Sequence, residues 1–212
     1  MDPYRNRLHA SYTVCMIVVD VEASGTEPAL HSIVSVGALD FENPSERFYG
    51  ECRIWDGAHV MAEALTVNGF SESAIRDSSK MSEAELYDAF ATFALRATDH
   101  TFAGQNPSFD RDFLNAAAKR GHRNWPFAHR TIDVHTLCWM HMVRRGITPP
   151  INHNRTRLNL DAILNYTGIA SEPEPHNALT GALCHAEVIS RLVYEKKLLP
   201  EFDAFPIPWL EK

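Results

Sequence analysis

The chain has 212 residues, 45% of them hydrophobic and 22% charged, which suits one large domain better than two and allows a full buried core. A formal charge of −7 excludes broad electrostatic wrapping of nucleic acid, which needs a basic face, but leaves room for an enzyme that grips one strand end through metal ions and a few local basic residues. Cys15, Cys52, Cys138 and Cys184 are far apart with no Cys-x-x-Cys pair, so reduced thiols in a cytoplasmic setting fit better than a zinc knuckle or a disulfide framework.

Residues 1–7 lack the long apolar region of a signal peptide, and no segment approaches membrane-spanning length. Residues 14–25, V-C-M-I-V-V-D-V-E-A-S-G, run from an apolar stretch straight into two carboxylates. The shortness of the stretch and its β-branched residues predict a strand buried on both faces. Residues 31–41 and 46–54, around the turn Asn43-Pro44-Ser45, read as antiparallel strands beside it. Short helices are expected at 62–70 and 72–75, and a capping box of Ser82 with Glu85 starts a helix to about residue 97. Residues 101–104 make a buried strand, and Asn106-Pro107 supplies a cap and a first-turn proline for a helix to Gly121. A strand at 131–133, a helix at 134–145, a loop at 146–156, a helix at 158–166, a last long helix at 177–197 and an irregular tail at 198–212 complete the chain. Three early strands followed by alternating strand and helix describe an α/β domain spanning residues 1–212, a mixed sheet flanked by helices.

Asp20 and Glu22, two apart on a strand, point to one face, and Ala23-Ser24-Gly25 is small enough for a ligand to approach the backbone. Two like charges at the end of an apolar strand repel and lose hydration, so a cation is wanted between them. A hard divalent ion shared with phosphate oxygens is the natural partner. Asn106 and Asp110 stack on one face of their helix, where Asp110 also suits the helix dipole. His176, just before the last long helix, can serve as a general base towards water. Arg144, Arg145, Arg155 and Arg157 either meet phosphates or form a solvated basic face. His135, Cys138 and His141, three apart on one helix, are an alternative zinc set without an evident fourth ligand.

Asp20-x-Glu22, Asn106-x-x-x-Asp110 and His176, in that order, resemble the motifs of the DEDDh 3′–5′ exonucleases, the group of ribonuclease T and the proofreading ε subunit of DNA polymerase III. Supporting matches are Ala64-Leu65 with Gly69-Phe70, Asp133, and residues 158–164. The resemblance implies a ribonuclease H-like fold with a five-stranded mixed sheet, three strands antiparallel and the rest parallel. It further implies two divalent cations, Mg²⁺ or Mn²⁺, at Asp20, Glu22 and Asp110, with His176 taking a proton from the attacking water. Ser24, Gly25, Thr26, Asn106 and Phe109 would receive the 3′-terminal nucleotide of single-stranded DNA or RNA, and family members frequently pair as homodimers.

One position departs from the pattern. The family places its fourth acid five residues after the histidine, and here that residue is Gly181; Gln105 stands where many members have histidine. Glu187 lies about 240° around the helix from position 181, and His185 lies roughly 5 Å further along it, so neither replaces the missing carboxylate. Glycine inside a helix costs about 1 kcal/mol relative to alanine, with no packing gain evident from the sequence. The expectation is an exonuclease that is slow or silent as written, with a catalytically silent strand-end binding module as the alternative.

Overall fold

The computed structural model describes residues 15–211; residues 1–7 and Val14 of the sequence reading lie outside them. Strand β1 (Ile17–Ala23) is the centre of a five-stranded sheet. Antiparallel β2 (Ile33–Asp40) and β3 (Arg47–Glu51) lie on one side, and β4 (Phe102–Gly104) and β5 (Thr131–Asp133) run parallel to β1 on the other, in the order β3-β2-β1-β4-β5. Ile17, Val18 and Val19 are all fully buried, as a central strand covered on both faces requires.

The helices divide between those faces. Short helices α1 (Ala62–Asn68) and α2 (Glu72–Ile75) precede α3 (Glu83–Ala94), which starts at the capping box of Ser82 and Glu85. With α4 (Pro107–Arg120), α3 covers the face of Ile17, Val19 and Val21 through Phe90, Phe113 and Leu114. Helices α5 (Val134–Arg144), α6 (Leu160–Thr167) and α7 (Ala178–Tyr194) cover the other face, where Met16 and Val18 meet Cys138, Ile163 and Ala186. Side chains alternate along β1, so Asp20 and Glu22 continue the face of Met16 and Val18 and look toward α7.

Two boundaries differ from the sequence reading. Residues 146–156 are not wholly loop: β6 (Ile151–Asn152) and β7 (Arg155–Thr156) pair around His153 and Asn154, both at positive φ. Two such residues are what a tight two-residue hairpin turn needs, but strands this short leave no periodicity to read. Helix α7 stops at Tyr194, because Glu195 turns left-handed (φ 55°), although the lysines that follow are good helix formers. In its last turn Arg191 is fully buried: Nε donates to Glu187 Oε1 at 2.7 Å and its other nitrogens to the carbonyls of Thr167, Phe202, Phe205 and Pro206. This pins the C-terminal segment, including a 3-10 turn at Pro200–Phe202, onto α7. Among the described residues no helix is long and apolar enough to cross a membrane, and no disulfide forms.

Candidate active site

The C-terminal end of β1 and the N-terminal end of α7 meet. In the β1–β2 ladder Asp20 pairs with Gly37 and Glu22 with Ser35. Helix α7 crosses Gly37 so closely that a Cβ there would lie 2.2 Å from the Ala178 backbone. One turn on, a Cβ at Gly181 would lie 2.2 Å from Asp20 Oδ2 and 2.8 Å from Cγ. The packing reason for this glycine, invisible in the sequence, is that Asp20 rests directly against the helix backbone at position 181.

His176 is half-buried and strapped in place from a third element. Its N–H donates to Val67 O at 3.0 Å, while the next residue of α1, Asn68, donates through Nδ2 to Ala23 O at 3.1 Å. The end of α1 thereby ties the histidine segment to the end of β1. Asn177 then caps α7, its side chain accepting from the N–H groups of Leu179 and Thr180 at 3.0 and 3.3 Å.

Asp110 comes from the opposite layer. It is buried in the first turn of α4, and its Oδ1 accepts the Val21 N–H at 2.8 Å, between Asp20 and Glu22 in the chain. Asn106 does not cap α4 as expected. It takes a left-handed conformation (φ 51°, ψ 48°) and gives its backbone N–H to Asp133 Oδ1 at 3.2 Å, leaving its side chain exposed. Asp133 also caps α5 through the His135 N–H. Phe109 is half-buried, its ring 4.7 Å from that of Phe113.

The turn after β1 is only partly available to a ligand. Ser24 is fully buried and fully used: Oγ donates to His59 O and accepts from Ser32 N–H, its own N–H donates to Ser32 O, and its carbonyl accepts from Met61 N–H. These bonds engage Ser24, which is expected to lie against the terminal nucleotide, within the turn itself. Gly25 is covered by the His31 ring, 2.1 Å from where a Cβ would be, and Thr26 is exposed.

The electrostatics follow from burial without counter-charge. Asp20 is held well above the usual carboxylate range by burial first and then by Asp110, Glu22 and Glu172. Burial also raises Asp110, against the hydrogen bond from Val21. Glu22 is raised by burial and by Glu172, with the charge on His176 acting the other way. None of these acids is paired with a lysine or arginine among the described residues. Glu172, which sequence reasoning did not single out, belongs to the same group: it alone in the exposed 170–175 segment turns partly inward, and Oε1 accepts from Asn177 N–H at 3.4 Å. An acid in a proline-containing loop four residues before a histidine carries no sequence signal that could have found it.

As the side chains lie, no three His, Cys, Asp or Glu residues among those described are disposed to hold one metal ion. The donor set nevertheless fits a hard divalent cation in kind: oxygens only, mutually repelling, raised by burial and without a lysine or arginine partner among the described residues. The zinc alternative gains no support: His141 Nδ1 is bonded to Tyr166 Oη at 2.8 Å, Cys138 is buried in the core, and His135, Cys138 and His141 do not converge among the described residues. His185 lies deeper than the acids, with Nδ1 against Gly104, and burial pushes it down to about 4. Glu187 faces the far side with Arg191, accepting also from the N–H groups of Leu198 and Leu199.

Arg144, Arg155 and Arg157 are exposed and have no carboxylate partner among the described residues, and Arg145 lies over the Trp209 ring. Leu158 O, two residues beyond β7, accepts from Gln105 Nε2 at 3.1 Å, beside Asn106. Two surface concavities, of about 510 and 650 Å³, lie over His59–Leu65 and beside Trp55 and Arg120, and neither includes the acids.

No protein-family model matches the sequence, and no curated protein matches it. Solved structures do. Exonuclease I in its apo form matches at a TM-score of 0.66 and 18% identity over 86% of this chain and 42% of the other. E. coli exonuclease I in complex with a dA16 oligonucleotide matches at 0.65, 18% identity, 86% and 41%. A zinc-bound form of the E. coli enzyme with single-stranded DNA matches at 0.64, 18% identity, 85% and 42%. The chain spans less than half the length of these proteins. Its five-stranded mixed sheet and flanking helices are the ribonuclease H-like fold of exonuclease I.

Proposed function

We propose that the chain is a metal-dependent 3′–5′ exonuclease that releases nucleoside monophosphates from the 3′ end of single-stranded DNA or RNA. What supports this reading is that Asp20, Glu22 and Asp110 gather with His176 near the C-terminal edge of the sheet, with no lysine or arginine paired to the acids among the described residues. The exonuclease I fold supports it, and those neighbours bind single-stranded DNA. Divalent cations, Mg²⁺ or Mn²⁺ at Asp20, Glu22 and Asp110, would neutralise the scissile phosphate and acidify the attacking water when bound. His176, fixed by Val67, removes a proton from that water. The amides of Gly25 and Thr26, engaged by no other group among the described residues, with Asn106 and Phe109, receive the terminal nucleotide. Arg144, Arg155 and Arg157 follow the phosphates of the strand behind it. We further propose a reducing, cytoplasmic location.

Gly181 favours a second reading, a strand-end binding module of the same fold with little or no catalysis. Hydrolysis of a 5′-labelled single-stranded oligonucleotide at high protein concentration with Mn²⁺ separates the two. Shortening from the 3′ end, abolished by EDTA and by His176→Ala, is expected of the exonuclease. Binding without shortening overturns it.

A further inference from the structure

We infer that the outer face of α5, built around Trp139, is where unpaired bases of the strand behind the terminal nucleotide stack. The inference rests on the exonuclease reading and deepens it, since it names what would make the substrate a single strand.

Charge in this chain is segregated. It carries 27 acidic residues, yet none falls between Asp133 and Asp161, and that interval holds Arg144, Arg145, Arg155 and Arg157. The interval is fastened beside the candidate site near both of its ends: Asp133 Oδ1 accepts the Asn106 N–H at 3.2 Å, and Leu158 O accepts from Gln105 Nε2 at 3.1 Å. A polyanion leaving the site over this segment meets its arginines and none of its own carboxylates, in a chain whose formal charge of −7 opposes polyanions on balance.

The same segment offers an apolar face. Trp139, Met140 and Val143 lie within about one turn of each other on the solvent side of α5, 45%, 45% and 46% exposed, and Arg144 follows Met140 at the rim. The other three tryptophans are engaged: Trp55 lies under Arg120, Trp125 against Phe102 and Phe127, and Trp209 against His141 and Tyr166. Among the described residues no ring or hydrogen bond engages the Trp139 indole. Trp139 lies about 9 Å along the helix from Asp133, a short step for a strand whose end is held at Asn106. An open indole beside arginines combines base stacking with phosphate contact, the means by which single strands are bound without regard to sequence. A duplex keeps its base faces inside its own stack and gains nothing from such a face.

Fluorescence anisotropy of the full chain in Mn²⁺ tests the assignment on Trp139→Ala and Trp139→Phe, with a labelled thymidine dodecamer and a blunt duplex of the same length, both protected by a 3′ phosphorothioate link. Sedimentation velocity is recorded alongside. The expected result is that Trp139→Ala binds the dodecamer about 5- to 150-fold more weakly, that Trp139→Phe keeps most of the parent's affinity, and that neither variant changes binding of the duplex. Unchanged dodecamer affinity in Trp139→Ala overturns the role of α5 and leaves the exonuclease reading standing; if a dimer is lost at the same time, the face belongs to a second copy of the chain. An equal loss for dodecamer and duplex also overturns base stacking. A parent chain that does not bind the dodecamer removes the exonuclease reading itself, and the stacking face with it.

Discussion

Gly181 sets two opposed effects against each other, and their sizes decide which prevails. Replacing a helix-interior glycine with alanine ordinarily stabilises by about 1 kcal/mol, because the unfolded chain has fewer states to lose. Here the added Cβ would lie 2.2 Å from Asp20 Oδ2 and 2.8 Å from Cγ, well inside contact distance. Asp20 must swing aside, and forced repacking of this kind costs about 1–3 kcal/mol. Gly181→Ala is therefore expected to be neutral to about 2 kcal/mol destabilising, at roughly 2–4 °C in melting temperature per kcal/mol for a chain of this size. Gly181→Asp adds a like charge, worth at most about 4 kcal/mol at 4 Å in an effective dielectric of 20 and less because Asp20 is partly exposed. In EDTA it should melt below Gly181→Ala. In Mn²⁺ at about a hundred times the dissociation constant it should regain roughly 2.7 kcal/mol, whereas Gly181→Ala regains no more than the parent. Nucleotide release by Gly181→Asp should then rise, by up to roughly 10²–10⁴ once bound Mn²⁺ draws the displaced Asp20 and the new carboxylate together. Calorimetry in both buffers and an oligonucleotide assay read these outcomes. A Gly181→Ala chain stabilised by the full helix-propensity gain would refute the contact with Asp20, and no gain in release would refute the account of position 181.

Asp110, raised by burial, contributes stability that is present at low pH and lost as pH rises through its folded value. Asp110→Asn should thus flatten the decline of melting temperature between pH 4 and 8 in EDTA, and should shrink the increment that Mn²⁺ adds. Asn68→Ala, which unties α1 from Ala23 O, should lower turnover about tenfold with little change in oligonucleotide affinity, because His176 is displaced rather than removed. Replacing Arg155 and Arg157 together with alanine should reduce the slope of log affinity against log salt for a single strand by about 0.7 for each phosphate the two arginines neutralise, measured by fluorescence anisotropy.

Much of the scaffold was legible because its signals are local. The apolar run into Asp20, the capping box at Ser82 and the proline at 107 each act within a few residues, and β1, α3 and α4 follow. The 151–156 hairpin was hidden because two-residue strands have no period. At the site, residue identities were readable but their relations were not. Asp110 looked like an acid suited to a helix dipole until it proved to accept Val21 N–H from another layer. Ser24 looked free until its hydroxyl proved to bridge His59 O and the Ser32 N–H within the turn. Gly181 and Glu172 acquire meaning only once Asp20 and the end of α7 occupy the same place, a meeting that spans most of the chain.

Helix α7 carries an internal comparison that bears on what the acids at its start are for. Toward its other end, Glu187 is fully buried, yet every demand of its charge is met: Arg191 Nε donates to one oxygen, and the Leu198 and Leu199 N–H groups donate to the other. Removing Arg191, for example as Arg191→Met, strands that carboxylate and should destabilise by about 3–5 kcal/mol, seen as a melting temperature lower by roughly 6–20 °C. The fold can therefore pair a buried acid completely where the acid serves structure. Asp20, Glu22 and Asp110, gathered near the opposite end of the same helix, have no arginine or lysine partner among the described residues, and their charges are opposed mainly by burial and by one another. That contrast, a buried acid paired with arginine at one end of α7 and acids without lysine or arginine at the other, is what the proposed cation centre rests on.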